Sequence, residues 1–195
     1  MSWDLKKRNW SSIIVTISTA IFAFVSIVSV FISVTTWQAQ REAARPYFTF
    51  KESPSIYLTD EFSFEFKFTN VGTHPATNLS SKTIVFDGNL LHEPTLVDEY
   101  TVVNDIPRDT TSSLLISIKS TDFLQDDINS QFVVINLSYS DPITRKLYMQ
   151  TIYTKWVGVI AQKPQALIHV EASEKQKILN YLNSHHLLES TDKNS

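Results

Sequence analysis

The run Ser11 to Thr36, SSIIVTISTAIFAFVSIVSVFISVTT, contains no charged residue, no proline and no glycine. It exceeds the roughly 20 apolar residues that a helix needs to cross a hydrocarbon core of about 30 Å. A bilayer core offers backbone groups no water, so a lone spanning segment has to be helical. Trp10 and Trp37 bracket the run. The path between them is about 40 Å at roughly 1.5 Å per residue, the thickness of a bilayer with its headgroup zones, where indole rings settle. The sequence therefore predicts a transmembrane helix over residues 11–37, with Trp10 and Trp37 as membrane-interface anchors and the lipid bilayer as first partner.

Lys6, Lys7 and Arg8 precede the run as a signal peptide's basic region would. The apolar stretch is longer than the 7–15 residues usual in a cleaved signal, and it closes on Thr35-Thr36-Trp37 without a small-residue cleavage site. An uncleaved signal anchor is expected in a cell membrane. The basic cluster is tighter before the run than after it, where Arg41 and Arg45 follow. By the positive-inside rule this predicts a cytoplasmic N-terminus and a C-terminal domain outside the cytoplasm. Within the run, Ser12, Thr16, Thr19, Ala23, Ser26, Val30 and Ser33 recur at spacings of four and three. All but Val30 are small, and small residues let two helices approach closely while hydroxyls bond across the contact. Self-association is the sharper reading of that stripe. The plainer one is chance, because Ser, Thr and Ala are frequent throughout the run. No ionisable residue lies inside it to serve an ion or proton pathway.

The remaining 158 residues after Trp37 are enough for one ordinary domain with a real core. Net charge is −3, which gives no electrostatic case for nucleic acid. There is no cysteine, so disulfides and thiolate zinc sites are excluded. Residues 38–45 (QAQREAAR) extend the helix, and Pro46 ends it. A β-domain is expected over 46–160. Phe62, Phe64, Phe66 and Phe68 alternate with Ser63, Glu65 and Lys67, the period of a strand with one buried and one wet face. Other strands are predicted at 47–51, 77–86, 100–103, 113–118, 131–140 and 146–157, with Asp87-Gly88 as a hairpin turn and Asp141-Pro142-Ile143-Thr144 as another. Seven or eight evenly spaced strands read as an antiparallel β-sandwich, a closed barrel being the alternative. In the tail, 161–195, a short helix is expected at about 173–184 with Ser173 as its cap and Gln176 three residues on; residues 187–195 carry no pattern.

The run Phe68-Thr69-Asn70-Val71-Gly72-Thr73-His74-Pro75-Ala76-Thr77-Asn78 resembles the strand–turn–strand of bacterial immunoglobulin-like domains, which often read N-x-G-x-x-P-A-x-N. The turn around Tyr139-Ser140-Asp141 is similar to their penultimate turn, although Thr144-Arg145 stands where a glycine is often found. The layout of a span, Arg45-Pro46-Tyr47 and then such a domain is similar to that of small bacterial single-pass membrane proteins. The resemblance covers about residues 45–160. It implies an immunoglobulin-like fold and a role in adhesion, assembly or binding, and fold alone implies no activity.

Chemistry-bearing residues are few. His185-His186 with Glu189 lack the i, i+4 spacing of a helical zinc pair, and His74 and His92 read as surface residues. Asp126-Asp127 and Asp141 lack the alternating ligands and the glycine of a calcium loop. Three glycines in all make a phosphate loop or a nucleophile elbow improbable. Asn9, Asn78 and Asn136 begin Asn-x-Ser triplets, which carry meaning only in a secreted eukaryotic context. No catalytic, cofactor or metal site is predicted. The expectation is a non-catalytic, membrane-anchored module presenting a protein-binding surface to another membrane protein or to a second copy of itself. A ligand-sensing effector with self-associating helices is the first alternative, and an enzyme of unknown type the second.

Overall fold

A computed structural model describes residues 3–58, 62–102, 104–118, 128–161 and 163–187. The chain divides into two compact units, Met1–Ala44 and Arg45–Ser195. The first is a continuous helix, α1 (Trp3–Ala43). From Trp10 to Ala43 it is long and apolar enough to cross a membrane, and its residues from Trp10 to Gln40 are all exposed. The helix stops three residues before Pro46, which has no N–H to continue the ladder and pushes Arg45 out of the α region.

The second unit is built of antiparallel sheets. β3 (Phe62–Asn70) is central to the first sheet. Along one side it pairs with β6 (Thr111–Ile118). Its other side is shared end to end by β1 (Phe48–Phe50), opposite residues 68–70, and β2 (Ser55–Leu58), opposite residues 62–65. The second sheet has five strands, β4 (Thr77–Asp87), β5 (Leu96–Val102), β7 (Gln131–Asp141), β8 (Lys146–Trp156) and β11 (Leu167–His169). Their spatial order is β11-β8-β7-β4-β5. A small hairpin of β9 (Val159–Ile160) and β10 (Lys163–Pro164) stands apart from both.

The predicted alternation is present. Phe62, Phe64, Phe66 and Phe68 are all buried, as are Leu114, Ile116 and Ile118 of β6, and Val133, Ile135, Leu137 and Tyr139 of β7. These residues, together with Leu79 and Val85 of β4 and Trp156 of β8, form one cluster fed by both sheets. Trp156 stacks on Phe62 with centroids 4.3 Å apart and meets Phe64 edge-on at 5.5 Å. Its indole N–H donates to the Gln165 carbonyl at 2.9 Å, so the buried ring leaves no orphan donor.

A second cluster forms on the other face of the five-stranded sheet. Ile84, Phe86, Phe132 and Val134 point away from the first core and are covered by Ile178, Tyr181 and Leu182 of α2 (Ala172–Ser184). Tyr181 stacks on Phe86 at 4.8 Å, and Lys155 Nζ donates to Glu174 Oε1 at 2.6 Å. The C-terminal helix thus lies on the sheet.

Several local expectations are corrected. The cap of α2 is Glu171, whose carbonyl accepts from Lys175 N–H at 2.9 Å and whose own N–H donates to Glu174 Oε2 at 3.1 Å. Ser173 lies inside the first turn, because the acidic reciprocal pair satisfies the free N–H groups one step earlier. Asp87-Gly88 opens a wide connection rather than a tight hairpin. Asn89 N–H bonds the Asp87 carboxylate at 2.8 Å, Leu90 takes a left-handed φ of 58°, and β5 begins only at Leu96. The strand Ser55–Leu58 and the short strands after Trp156 were not predicted; each is brief, and none shows a sustained period of two. Residues 188–195, including Glu189, and the pair Asp126-Asp127 lie outside the described residues.

Candidate functional site

Two features stand out as candidates, the bare helix and the end of the β-domain through which the chain enters. On α1, Trp10 and Trp37 are both exposed, and the Arg41 guanidinium lies over the Trp37 ring at 4.6 Å. Of the small-residue stripe, Ser12, Thr16, Thr19, Ala23, Ser26 and Ser33 are all exposed along the helix. Thr16 donates to the Ser12 carbonyl at 2.9 Å, Thr19 to the Val15 carbonyl at 2.8 Å and Ser26 to the Phe22 carbonyl at 2.8 Å. These hydroxyls bond back to the helix's own carbonyls.

The entry end of the domain is held by Asn70, the last residue of β3 and fully buried. Its side-chain oxygen accepts from Tyr47 N–H at 3.2 Å and Gly72 N–H at 3.0 Å. Its amide nitrogen donates to the carbonyls of His74 at 2.9 Å and Ile106 at 3.1 Å. Two acceptor and two donor positions are filled, tying three chain segments to one side chain. Gly72 permits this closeness: a Cβ there would lie 2.2 Å from the Arg45 carbonyl oxygen and 2.6 Å from Pro46 Cα. The turn residues expected at Asn70 and Gly72 therefore serve bonding and close approach. The left-handed conformation falls instead on Asn78, at φ 52°.

His74 was expected at the surface and is buried instead. Its Nδ1 lies 2.7 Å from Asp141 Oδ2. The other carboxylate oxygen of Asp141 accepts from Ile143 N–H at 2.8 Å and Thr144 N–H at 3.2 Å. Burial alone pushes a carboxyl upward, but the hydrogen bonds from His74 and the turn amides outweigh it and hold Asp141 below its ordinary value. An ionised carboxylate only accepts, so His74 Nδ1 is the donor. The pair ties the 72–76 turn to the β7–β8 turn and leaves no open face for a substrate, so its chemistry is that of a brace. Next to it, the Tyr139 hydroxyl donates to the Pro46 carbonyl at 3.2 Å. The Gln150 amide receives Phe48 N–H at 3.1 Å and donates to the Phe48 carbonyl at 2.6 Å, as a neighbouring strand would. No sequence signal joined these residues: His74 and Asp141 stand 67 positions apart.

The other histidines are differently placed. His92 is exposed, as expected. His185 closes α2, with Nδ1 2.9 Å from the Tyr181 carbonyl, and His186 is exposed. Among the described residues no group of three or more His, Asp or Glu side chains is arranged to hold a metal. A groove of about 260 Å³ runs between residues 50–54 and the β8–β11 edge, past Thr154, Leu167 and His169. A smaller depression of about 130 Å³ lies on the second sheet beside Ser80, Lys82, Asn136 and Met149.

A family described as a domain of unknown function, DUF8453, matches residues 10–157. The chain belongs to the DUF8453 family. The matched stretch begins at Trp10 and ends one residue past β8, so the DUF8453 pattern takes in most of the apolar helix together with β1 to β8 and stops before β9, β10, β11 and α2. No curated protein matches the chain. One solved structure similar to it is the X-ray structure of a Northeast Structural Genomics Consortium target, SoR45, at 11% identity and a TM-score of 0.36, covering 58% of this chain and 86% of that one.

Proposed function

We propose that this chain is a single-pass, membrane-anchored and non-catalytic module whose immunoglobulin-like β-sandwich presents a protein-binding surface, as an accessory or assembly subunit at the cell membrane. The observation that carries the reading is α1: from Trp10 to Ala43 its apolar side chains are covered by nothing in the protein. So long an uncovered apolar surface is untenable in water and ordinary in lipid. Support for a sandwich comes from the two sheets' shared core, to which alternate residues of β3, β6 and β7 all contribute. Confinement to the membrane raises the domain's effective concentration for a membrane partner without any new contact.

Membranes from cells expressing the full chain test this directly. The protein should stay with the pellet through alkaline carbonate extraction, and mild detergent should release it with a stoichiometric membrane protein identifiable by mass spectrometry. Release by carbonate would overturn the anchor. A homo-oligomer without companions would favour the self-associating effector. In that case Ala23→Leu with Ser26→Leu should dissolve the oligomer. Protease protection of the 45–195 unit in sealed vesicles reads its side of the membrane, expected to be outside the cytoplasm.

A further inference from the structure

The entry end of the β-domain exposes apolar and cationic side chains together. Tyr47 is 47% exposed, Val71 46%, Ile143 50% and Leu147 66%. They share one end because Val71 N–H bonds the Tyr47 carbonyl at 2.8 Å, and the His74–Asp141 pair pins the 142–145 turn beside the 72–76 turn. Arg45, Arg145 and Lys146 stand exposed among them. Arg145 holds a left-handed φ of 59°, a conformation that a glycine or asparagine would adopt at less cost.

We propose that this rim is a bilayer-contact surface: Tyr47, Val71, Ile143 and Leu147 enter the headgroup zone while Arg45, Arg145 and Lys146 meet anionic lipid phosphates. The inference rests on the membrane anchoring proposed above. It commits to lipid because chain length leaves this end little choice. Arg45 follows Trp37 by a path of about 12 Å at roughly 1.5 Å per residue, so whatever the tilt, this end stays within reach of the interface where Trp37 sits. Basic side chains beside an anionic surface and aromatic or aliphatic ones at the headgroup level are the complementary chemistry. The rim is positioned by the Asn70 bracket and the His74–Asp141 brace, so it meets the membrane as a preformed surface.

The chain has no cysteine, so single cysteines can be introduced cleanly for labelling. The full chain, one copy per lipid nanodisc of phosphatidylcholine with a minority of phosphatidylglycerol, would carry a fluorophore at Ile143→Cys, Leu147→Cys, Leu91→Cys or Ser26→Cys. Leu91 is 78% exposed, in the connection after β4 at the opposite end of the strands. The readout is quenching by lipid bearing a nitroxide on its headgroup or on its acyl chain. Headgroup quenching is expected several-fold stronger at 143 and 147 than at 91, weaker in pure phosphatidylcholine, and reduced by Arg145→Glu with Lys146→Glu. Deep quenching at 26 with 143 and 147 no more quenched than 91 would overturn this inference and leave the anchor standing. Absence of acyl-chain quenching at 26 would overturn the anchor and this inference with it. Because the quencher is carried only by lipid, shielding by a protein partner does not mimic the expected result.

Discussion

At the scale of single residues, the entry end of the domain depends on buried polar groups that bond one another and the turn backbones. Asp141 accepts from His74, Ile143 and Thr144, and its ionised form is the one these donors favour. A carboxyl held below its ordinary value contributes stability that is present above the unfolded value, near 3.8, and is lost as pH falls through the lower folded value. Asp141→Asn should therefore lower stability by about 1–3 kcal/mol at pH 7, through loss of charge-assisted bonds. The gap between variant and wild type should narrow as pH falls below 3.8 and through the lower folded value. Urea unfolding midpoints measured from pH 7 to pH 2 check this, and a gap independent of pH would mean that the charge on Asp141 contributes nothing. The sequence showed Asp141-Pro142 as a turn, and the turn is there. The partnership with His74 was invisible, since a histidine in a polar loop carries no local mark of being buried by a strand 67 positions on.

At the scale of elements, β7 explains why the C-terminal helix is part of the fold. A strand with one wet face alternates, yet QFVVINL places Phe132 and Val134 on the outward face as well. Those two residues, with Ile84 and Phe86 of β4, need a cover, and Ile178, Tyr181 and Leu182 supply it. Both halves are legible in the sequence: Ile178, Tyr181 and Leu182 fall on one side of the helix, and the unbroken apolar run Phe132 to Ile135 marks a strand covered on both faces. The cap was misplaced because Ser173 satisfies a common rule, whereas Glu171 and Glu174 satisfy each other. Ile178 is fully buried, so Ile178→Ala should destabilise the domain by about 2–4 kcal/mol. Lys155→Ala should cost less, since its partner Glu174 is partly exposed. Chemical unfolding of the two variants distinguishes a helix that belongs to the cooperative core from a surface appendage, for which Ile178→Ala would change the midpoint by well under 1 kcal/mol.

At the scale of the whole molecule, the apolar side chains fall into two sets, one covered by the fold and one exposed. Every residue of the two buried clusters lies at or after Phe48, while the large apolar residues of α1 are exposed from Trp10 to Trp37. The long apolar helix is the clearest feature of the sequence because length and the absence of charge suffice to mark it. The boundary of the domain was marked less clearly, by Pro46 alone. It follows that the β-domain draws its stability from its own core, and that a chain beginning at Arg45 should fold. Its thermal midpoint should lie within about 5 °C of that of the full chain in detergent, since every residue of the two buried clusters is retained. A chain beginning at Phe48 should fare differently. It loses the Tyr139 bond to the Pro46 carbonyl, the Tyr47 N–H bond to Asn70 and the Val71 N–H bond to the Tyr47 carbonyl. At about 1 kcal/mol each these amount to roughly 3 kcal/mol, or a fall of about 6–12 °C in a domain of this size. Circular dichroism melts of the two truncations give the answer. Equal midpoints would show that residues 45–47 merely lead into the domain. The expected gap would show that they are built into it, and that the chain leaving α1 is gripped by the fold from Arg45 onward.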